Sequence, residues 1–178
     1  MPIRRALPTD AAAVAAVHVR SWQAAYRDLI PAPYLDGLDV TERTEAWRAR
    51  LTAPDGPVVL VAEDASGRVE AFSCFRPWPP GEGDGDGSLD PLVTAELAAL
   101  YAAPEAWGRG VGRALLVATV DAMGAAGFRG AGLWVFEDNA RARGFYEEAA
   151  WRPDGVSVTE ETGGRLLREL RYRIGLFM

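Results

Sequence analysis

The chain has 178 residues, 49% of them hydrophobic and 25% charged, with a formal net charge of −6; this predicts one globular domain over residues 1–178 and argues against a nucleic-acid partner. All 19 basic residues are arginine, and the lack of lysine excludes Schiff-base chemistry and a P-loop lysine. The chain has a single cysteine, Cys74, which excludes an intramolecular disulfide. Because it also has a single histidine, His18, we expect no metal site.

The N-terminal segment has no apolar signal-peptide region, and no stretch reaches the roughly 18 apolar residues of a membrane span. We therefore expect a soluble cytoplasmic protein with no membrane partner. Ile3–Arg5 is a strand candidate, and Thr9 or Asp10 can cap the helix that follows. The apolar face of this helix repeats at three- and four-residue spacing. It carries Val14, Val17, His18, Ser21, Trp22 and Ala25.

The segment PAPYLDGL separates this helix from a second one, which is predicted over Thr41–Thr52. Two apolar strands, Val58–Glu63 and Val69–Arg76, flank the turn residues Asp64–Gly67. This arrangement predicts a β-hairpin.

The loop Pro77–Pro91 is rich in proline, glycine and acidic residues and is predicted to be neither strand nor helix. It is interpreted either as a solvated excursion or as a source of negative potential that attracts a cationic substrate. The positions of its glycines and glutamate do not fit a calcium-binding loop. Its acidic residues are Glu82, Asp84, Asp86 and Asp90.

Strands and helices alternate in the rest of the chain, with a glycine-rich segment, EAWGRGVGRALL, after the first strand. The last strand alternates charged and apolar residues, which favours antiparallel pairing. The predicted elements are a strand over Thr94–Ala102, a helix over Gly112–Ala126, a strand over Ala131–Phe136, a helix over Asn139–Ala149 and a strand over Leu166–Ile174.

Three glycines, Gly108, Gly110 and Gly112, lie where the strand meets the helix. The first N–H groups of a helix have no internal partner, and the helix dipole adds partial positive charge there. Glycine lets a phosphate approach these amides, and Arg109 and Arg113 add charge at the rim. The pattern predicts a pyrophosphate site, with a plain tight turn as the alternative. The third glycine of a dinucleotide fingerprint and the lysine of a Walker loop are missing.

Two segments, AALYAAPEAWGRGVGRALL and LWVFEDNARARGFYEEAAW, resemble the GCN5-related N-acetyltransferase (GNAT) family. The start of the chain, IRRALPTDAAAVAAVHVRSW, is similar to the first strand and helix of that family, so the resemblance extends over most of the sequence. It implies an α/β (α+β) fold whose mixed, mostly antiparallel central sheet contains a splayed parallel strand pair and is flanked by helices. It also implies acetyl-CoA as co-substrate.

In the family, the pantetheine arm of acetyl-CoA bonds to a strand edge like an extra strand, and here this edge is Leu100–Ala102. An N–H at that edge could also stabilise the oxyanion of the reacting thioester. The phosphate loop of the family usually opens with Gln or Arg, and Trp107 in that position removes one polar contact. The cofactor-binding residues that the resemblance implies are Leu100, Tyr101, Ala102, Trp107, Gly108, Arg109, Gly110, Val111, Gly112, Arg113, Asn139, Arg141 and Tyr146.

Acetyl transfer to an amine needs a base for the ammonium and an acid for the leaving thiolate. The resemblance implies Tyr146 as the acid; the alternative is that this residue packs in the core beside Phe145. Glu96 occupies the position of the base in the histone-acetylating members, but a strand glutamate can also simply face solvent. Asn139 is predicted to cap the last helix and, by resemblance, to contact the CoA arm.

In the family, the first helix and the segment after it wall the acceptor site. His18, Trp22 and Tyr26 are therefore substrate-pocket candidates, although His18 could be a core residue. The acceptor could be a small amine, an aminoglycoside-like polyamine, or a protein N-terminus or lysine; the acidic loop favours a small cationic amine. A CoA-sensing module without turnover is the competing interpretation. The last strand could also pair in a homodimer.

Overall fold

A seven-stranded mixed sheet lies at the centre of the computed structural model, which describes residues 1–80, 89–90 and 92–176. The strands are β1 Ile3–Arg5, β2 Val58–Glu63, β3 Val69–Pro77, β4 Thr94–Ala102, β5 Gly130–Phe136, β6 Arg152–Thr162 and β7 Arg165–Gly175. The helices are α1 Ala11–Ala25, α2 Ala32–Asp36, α3 Val40–Thr52, α4 Val111–Ala125 and α5 Ala140–Glu148.

The strand order is β1-β2-β3-β4-β5-β7-β6, and only the central pair β4–β5 is parallel. This confirms the predicted fold class, including the antiparallel pairing of the last strand. Among the described residues, no helix has both the length and the apolarity needed to cross a bilayer.

Two elements were not predicted from the sequence: the short helix α2 inside PAPYLDGL, and the whole strand β6. β6 and β7 form a hairpin in which Thr162 pairs with Arg165 around Gly163 and Gly164. Both glycines have positive φ angles, 61° and 84°, as a tight two-residue turn requires. The paired glycines between two alternating segments were therefore a readable hairpin signal.

The two faces of the sheet are covered by different helices. On one face, Val14 of α1 and Trp47 of α3 pack against Phe72 and Cys74 of β3. On the other face, α4 lies over β3, where the Thr119 hydroxyl and the Ser73 hydroxyl are hydrogen-bonded at 2.6 Å. The alternation of side chains along β3 thus separates two apolar layers. Burial raises the pKa of the Cys74 thiol to about 11, so Cys74 behaves as a small apolar residue.

A β-bulge changes the direction of the β4 side chains. Phe75 pairs with Leu97 and its neighbour Cys74 pairs with Ala99, so that Ala98 is an extra residue in β4. As a result Leu97 and Leu100 both face α4, whereas Tyr101 packs beside α1.

The parallel pair separates soon after it begins. β4 and β5 are paired only where Thr94–Glu96 meets Gly130–Gly132, although both strands continue beyond these residues. The Ala103 N–H donates to the Glu70 carbonyl at 2.8 Å, which makes Ala71 and Ala102 a non-hydrogen-bonded pair. The backbone groups of Leu100 and Ala102 therefore point away from β3, towards the gap.

The prediction for the loop Pro77–Pro91 was partly wrong. Pro77 closes β3, and Trp78 and Leu89 are buried rather than solvated. Trp78 lies so close over Gly132 that a Cβ there would be 2.5 Å from its ring, so that large apolar side chain anchors the start of the loop. The acidic residues Glu82, Asp84 and Asp86 lie outside the described residues.

Candidate active site

A cleft of about 730 Å³ opens where β4 and β5 separate. Its walls are the end of α1, the glycine-rich loop with the start of α4, the helix α5, and the β6–β7 hairpin. The glycine-rich loop and the β6–β7 hairpin are far apart in sequence, but both line this one continuous cleft. Fifteen of the predicted site residues line it, and two, Arg109 and His18, do not.

The glycine-rich loop presents bare backbone to this cleft. Gly108 and Gly110 have φ angles of 74° and 81°, in the left-handed region that favours glycine. A Cβ at either position would meet nothing within 4 Å, so the backbone conformation, and not crowding within the protein, requires glycine. Gly110 is the N-cap of α4 and provides no side-chain cap. The first amides of α4, from Val111 to Arg113, therefore remain without an acceptor in the helix.

Trp107 has two contacts that the sequence did not predict. Its indole N–H donates to the Ala102 carbonyl at 2.8 Å, an oxygen that also accepts from the Ser21 hydroxyl at 2.8 Å. The Arg141 guanidinium lies over the Trp107 ring, 4.0 Å from the ring centroid. This cation–π contact holds a positive charge beside the glycine-rich loop.

Arg109, predicted to add charge at the rim, does not line the cleft, and its half-exposed guanidinium is paired within the protein. Its guanidinium donates to the carboxylate of the buried Glu70 at 3.0 Å. A buried carboxylate needs a paired cation, and Arg109 provides it. Arg113 does line the cleft.

Tyr146 lines the cleft from α5 and is mostly buried among aromatic rings. Its ring contacts those of Phe145 and Trp151, with centroid distances of 5.2 and 6.0 Å. Burial raises the pKa of its hydroxyl above the ordinary value, so the phenol keeps its proton at neutral pH. Asn139 caps this helix, because its Oδ1 accepts from the Ala142 N–H at 3.1 Å.

Glu96 lines the cleft from β4 and is only 8% exposed. It is not surrounded by apolar groups alone, since Arg76 Nε donates to its Oε2 at 2.6 Å. One of its two carboxylate oxygens is thus held by a guanidinium.

Trp22 and Tyr26 line the cleft at the end of α1, and their rings are in edge contact at 5.1 Å. His18 lies one turn earlier in the core: its Nδ1 accepts from Trp47 Nε1 at 3.1 Å, and its ring stacks on Tyr101. Burial lowers the pKa of His18 to about 4, so that it is neutral at pH 7. The core interpretation of His18 therefore replaces the pocket interpretation.

Sequence reasoning missed the acidic residues that the β6–β7 hairpin brings to the cleft, Glu160 and Glu169. Burial, together with the nearby Glu160 and Glu96, raises the pKa of Glu169 to about 7. Leu167 and Glu169 share one face of β7 because side chains alternate, and Leu167 is in the core with Tyr26. The alternation of side chains along β7 was therefore the signal that Glu169 shares a face with a core residue. Because the β6–β7 hairpin was not recognised, the neighbours of that face could not be predicted.

The described residues contain no group of three or more His, Cys, Asp and Glu side chains that could hold a metal ion.

The model of the "Acetyltransferase (GNAT) family" matches residues 22–151. An uncharacterized N-acetyltransferase of Bacillus subtilis (strain 168), YuaI, is 32% identical over 169 residues, which are 94% of this chain and 89% of that protein. A mycothiol acetyltransferase of Clavibacter michiganensis subsp. michiganensis (strain NCPPB 382) is 36% identical over 104 residues, 58% of this chain but only 30% of that protein.

Two solved structures share the fold at lower identity. A ribosomal-protein-alanine N-acetyltransferase from Brucella melitensis has a TM-score of 0.74 and 24% identity, and the match covers 99% of this chain and 100% of that one. YncA from Salmonella typhimurium, solved with its cofactor acetyl-CoA, has a TM-score of 0.73 and 23% identity, with 100% and 95% covered. The family match, the full-length relative and the splayed sheet agree, and the chain belongs to the GNAT family of N-acetyltransferases.

Proposed function

We propose that the protein transfers the acetyl group of acetyl-CoA to a primary amine by direct attack, without a covalent enzyme intermediate. The observation that carries this proposal is one continuous cleft that contains unpaired helix amides, an open strand edge and the Tyr146 hydroxyl. The acetyl-CoA found in the similar structure of YncA supports the identity of the donor.

In the proposed complex, successive parts of acetyl-CoA would bind different elements of the cleft. The amides of Val111, Gly112 and Arg113 would hold the pyrophosphate, with added charge from Arg113 and Arg141. The free backbone groups of Leu100 would pair with the pantetheine arm, as in strand addition. The Ala102 carbonyl is already bonded to Trp107 and Ser21. Tyr101, Gly108, Gly110 and Asn139 complete the proposed donor site.

Bound acetyl-CoA supplies an activated thioester. Tyr146 is the proposed general acid, whose Oη donates a proton to the leaving sulfur. Its ordinary pKa of about 10 is above the roughly 8.5 of a thiol, and burial raises it further. The hydroxyl is therefore protonated before the reaction and gives up its proton only as negative charge develops on sulfur.

Trp22, Tyr26 and the carboxylates of Glu96, Glu160 and Glu169 are among the residues that line the cleft, and we assign them to the acceptor end. Aromatic faces and carboxylates attract cations. We therefore favour a small cationic amine as acceptor over a protein N-terminus or lysine. Glu96 is the candidate base that the family resemblance implies.

The test is the release of free CoA thiol from acetyl-CoA in the presence of a panel of amines, together with calorimetric binding of acetyl-CoA. Gly110→Asp should weaken binding more than tenfold, because it adds a negative charge at the helix terminus and strains the backbone. Gly67→Asp is the matched control, since Gly67 also has a φ of 81° and open space around it, in the β2–β3 turn. Flat isotherms at millimolar acetyl-CoA, or wild-type binding by the Gly110→Asp variant, would contradict the proposal.

A further inference from the structure

The base for the acceptor ammonium has to lie in the cleft and have a carboxylate able to accept a proton. Glu96 meets the first condition, but its Oε2 accepts a charge-assisted hydrogen bond from Arg76. One of the two oxygens of Glu96 is therefore already occupied by a guanidinium. The cleft contains further carboxylates, and that of Glu169 is one of them.

Glu169 is held in the cleft by two strands. On β7 it lies in register with Phe136 of β5 on one side and with Val158 of β6 on the other. Within the described part of the chain its side chain forms no hydrogen bond or ion pair. Its neighbour Arg168 bonds instead to Glu137 and Ser157.

The groups that face Glu169 come from four elements. Glu96 of β4 and Glu160 of β6 are near enough to raise its pKa, and Glu169 in turn raises the pKa values of Tyr26 and Tyr101. Phe136 of β5 is apolar, and Arg171, two residues further along β7, pairs with Asp154 at 2.7 Å. Tyr101 also raises the pKa of Tyr146, so Glu169 and the proposed acid are both near the Tyr101 hydroxyl.

We propose that Glu169, and not Glu96, takes the proton of the acceptor ammonium, and that the carboxylates of Glu96 and Glu160 select small amines that carry a second positive charge. This inference rests on the proposed function. A pKa of about 7 suits a base at neutral pH, because it is neither permanently protonated nor too weak to accept a proton.

Acetyl transfer removes two protons from the acceptor nitrogen. The ammonium nitrogen gives one proton to a Glu169 carboxylate oxygen, directly or through one water molecule. The neutral amine forms a C–N bond to the thioester carbon, and the C–S bond breaks as Tyr146 Oη protonates the sulfur. The nitrogen then loses its second proton to the Tyr146 phenolate, and Glu169 returns its proton to solvent. Only about one molecule in a few thousand of an amine with a pKa of 10.4 is neutral at pH 7, so the first step sets the fraction of bound amine that can attack.

The test compares kcat/KM against pH for Glu169→Gln, Glu96→Gln and wild type, with 1,4-diaminobutane as acceptor. Wild type should lose activity below an apparent pKa near 7, and Glu96→Gln should keep this limb but at lower pH, because one of the carboxylates that raise the pKa of Glu169 is gone. Glu169→Gln should lack this limb, have a kcat at least 100-fold lower at pH 7, recover as pH rises, and keep its KM for acetyl-CoA. Glu161→Gln is the matched control, because Glu161 is exposed, pairs with Leu166 and does not line the cleft. A limb that survives in Glu169→Gln and disappears in Glu96→Gln would overturn the assignment.

The substrate class is tested by replacing 1,4-diaminobutane with butylamine or 4-aminobutyrate. Wild type should prefer the diamine at least tenfold, and Glu160→Gln should reduce this preference. Equal use of the three amines would overturn the selection by charge.

A measurement without turnover separates this inference from the proposed function. ¹³C NMR of the Glu169 carboxyl should show titration near pH 7, and calorimetry should show diamine binding that Glu169→Gln and Glu160→Gln weaken. If no amine releases thiol, the proposed function fails. An ordinary Glu169 titration, or diamine binding that these variants leave unchanged, overturns the present inference in either case.

Discussion

Trp107 stands at the loop position where the family usually has Gln or Arg, and it affects the cleft through Arg141. The ring holds the guanidinium at 4.0 Å, and the indole N–H bonds to the Ala102 carbonyl. The residue thus fixes the position of a positive charge beside the glycine-rich loop. This role could not be predicted from the sequence, because Arg141 is 34 positions away and the contact depends on how α5 packs.

Replacing Trp107 with Ala should weaken acetyl-CoA binding about tenfold, since a cation–π contact and a hydrogen bond together amount to about 1.4 kcal/mol. Trp107→Phe keeps the ring and loses only the N–H, so we expect a smaller loss, about threefold. Calorimetric Kd values measure both. Unchanged binding by Trp107→Ala would show that the position of Arg141 does not matter.

The Tyr146→Phe variant tests the proposed general acid, which is also a single residue. Loss of the proton donor should lower kcat about 100-fold while the KM for acetyl-CoA stays close to wild type. Tyr172→Phe is the control, because it removes a hydroxyl that donates to Glu147 at 2.6 Å and does not line the cleft. Full kcat for Tyr146→Phe at every pH would rule out the acid role.

At the scale of elements, the end of α5 contains a non-glycine residue in the left-handed region. Ala150 has a φ of 67°, and the next N–H, that of Trp151, donates to the Tyr146 carbonyl at 3.0 Å. This turn brings Trp151 back against Tyr146. A left-handed conformation costs a residue with a Cβ about 1–2 kcal/mol.

Ala150→Gly should therefore stabilise the protein by about 0.5–1 kcal/mol, after the larger entropy that glycine loses on folding is subtracted. The expected rise in Tm is about 1–4 °C. Ala126→Gly is the matched control: it also ends a helix and is exposed, but its φ is −79°, so it should lower Tm. A lower Tm for Ala150→Gly would mean that the strain is absent in solution.

At the scale of the whole molecule, the buried His18 and the half-buried Glu169 have opposite effects on the pH dependence of stability. His18 has its pKa lowered from 6.5 to about 4, so the unfolded chain binds more protons and stability falls as pH drops through this window. Glu169 has its pKa raised from 4.5 to about 7. The folded chain then binds more protons, and the stability due to Glu169 is lost as pH rises towards and through 7.

Glu169→Gln should consequently be more stable than wild type at pH 8, with the difference shrinking towards pH 4.5. The contribution of His18 is common to both proteins and cancels in the difference. Urea unfolding at several pH values measures this directly. A difference in stability that does not change with pH would mean that Glu169 titrates normally.

Periodicity and turn residues predicted most of the strands and helices, because apolar faces and glycine turns are local, whereas the sheet with its splayed parallel pair was implied by the family resemblance. The bounds of Ile3–Arg5, Val58–Glu63 and Thr94–Ala102 are as predicted. Of the site, the backbone parts could be predicted, since the strand-to-loop-to-helix signal is continuous in sequence. Glu169 and the pairing of Arg109 with Glu70 could not, because each depends on contacts between distant strands or loops. Strand β6 was not predicted, although the Gly163–Gly164 pair is typical of a hairpin turn.

The early separation of β4 and β5 divides the sheet into two halves that share three residue pairs. The pantetheine arm of acetyl-CoA, bound along the exposed edge of β4, would supply backbone hydrogen bonds that the free protein lacks. The two halves would then be joined more firmly in the loaded enzyme than in the free one. Binding to the folded state alone adds RT ln(1 + [L]/Kd) to its stability. The lifetime of this protein in a cell would then follow the supply of acetyl-CoA.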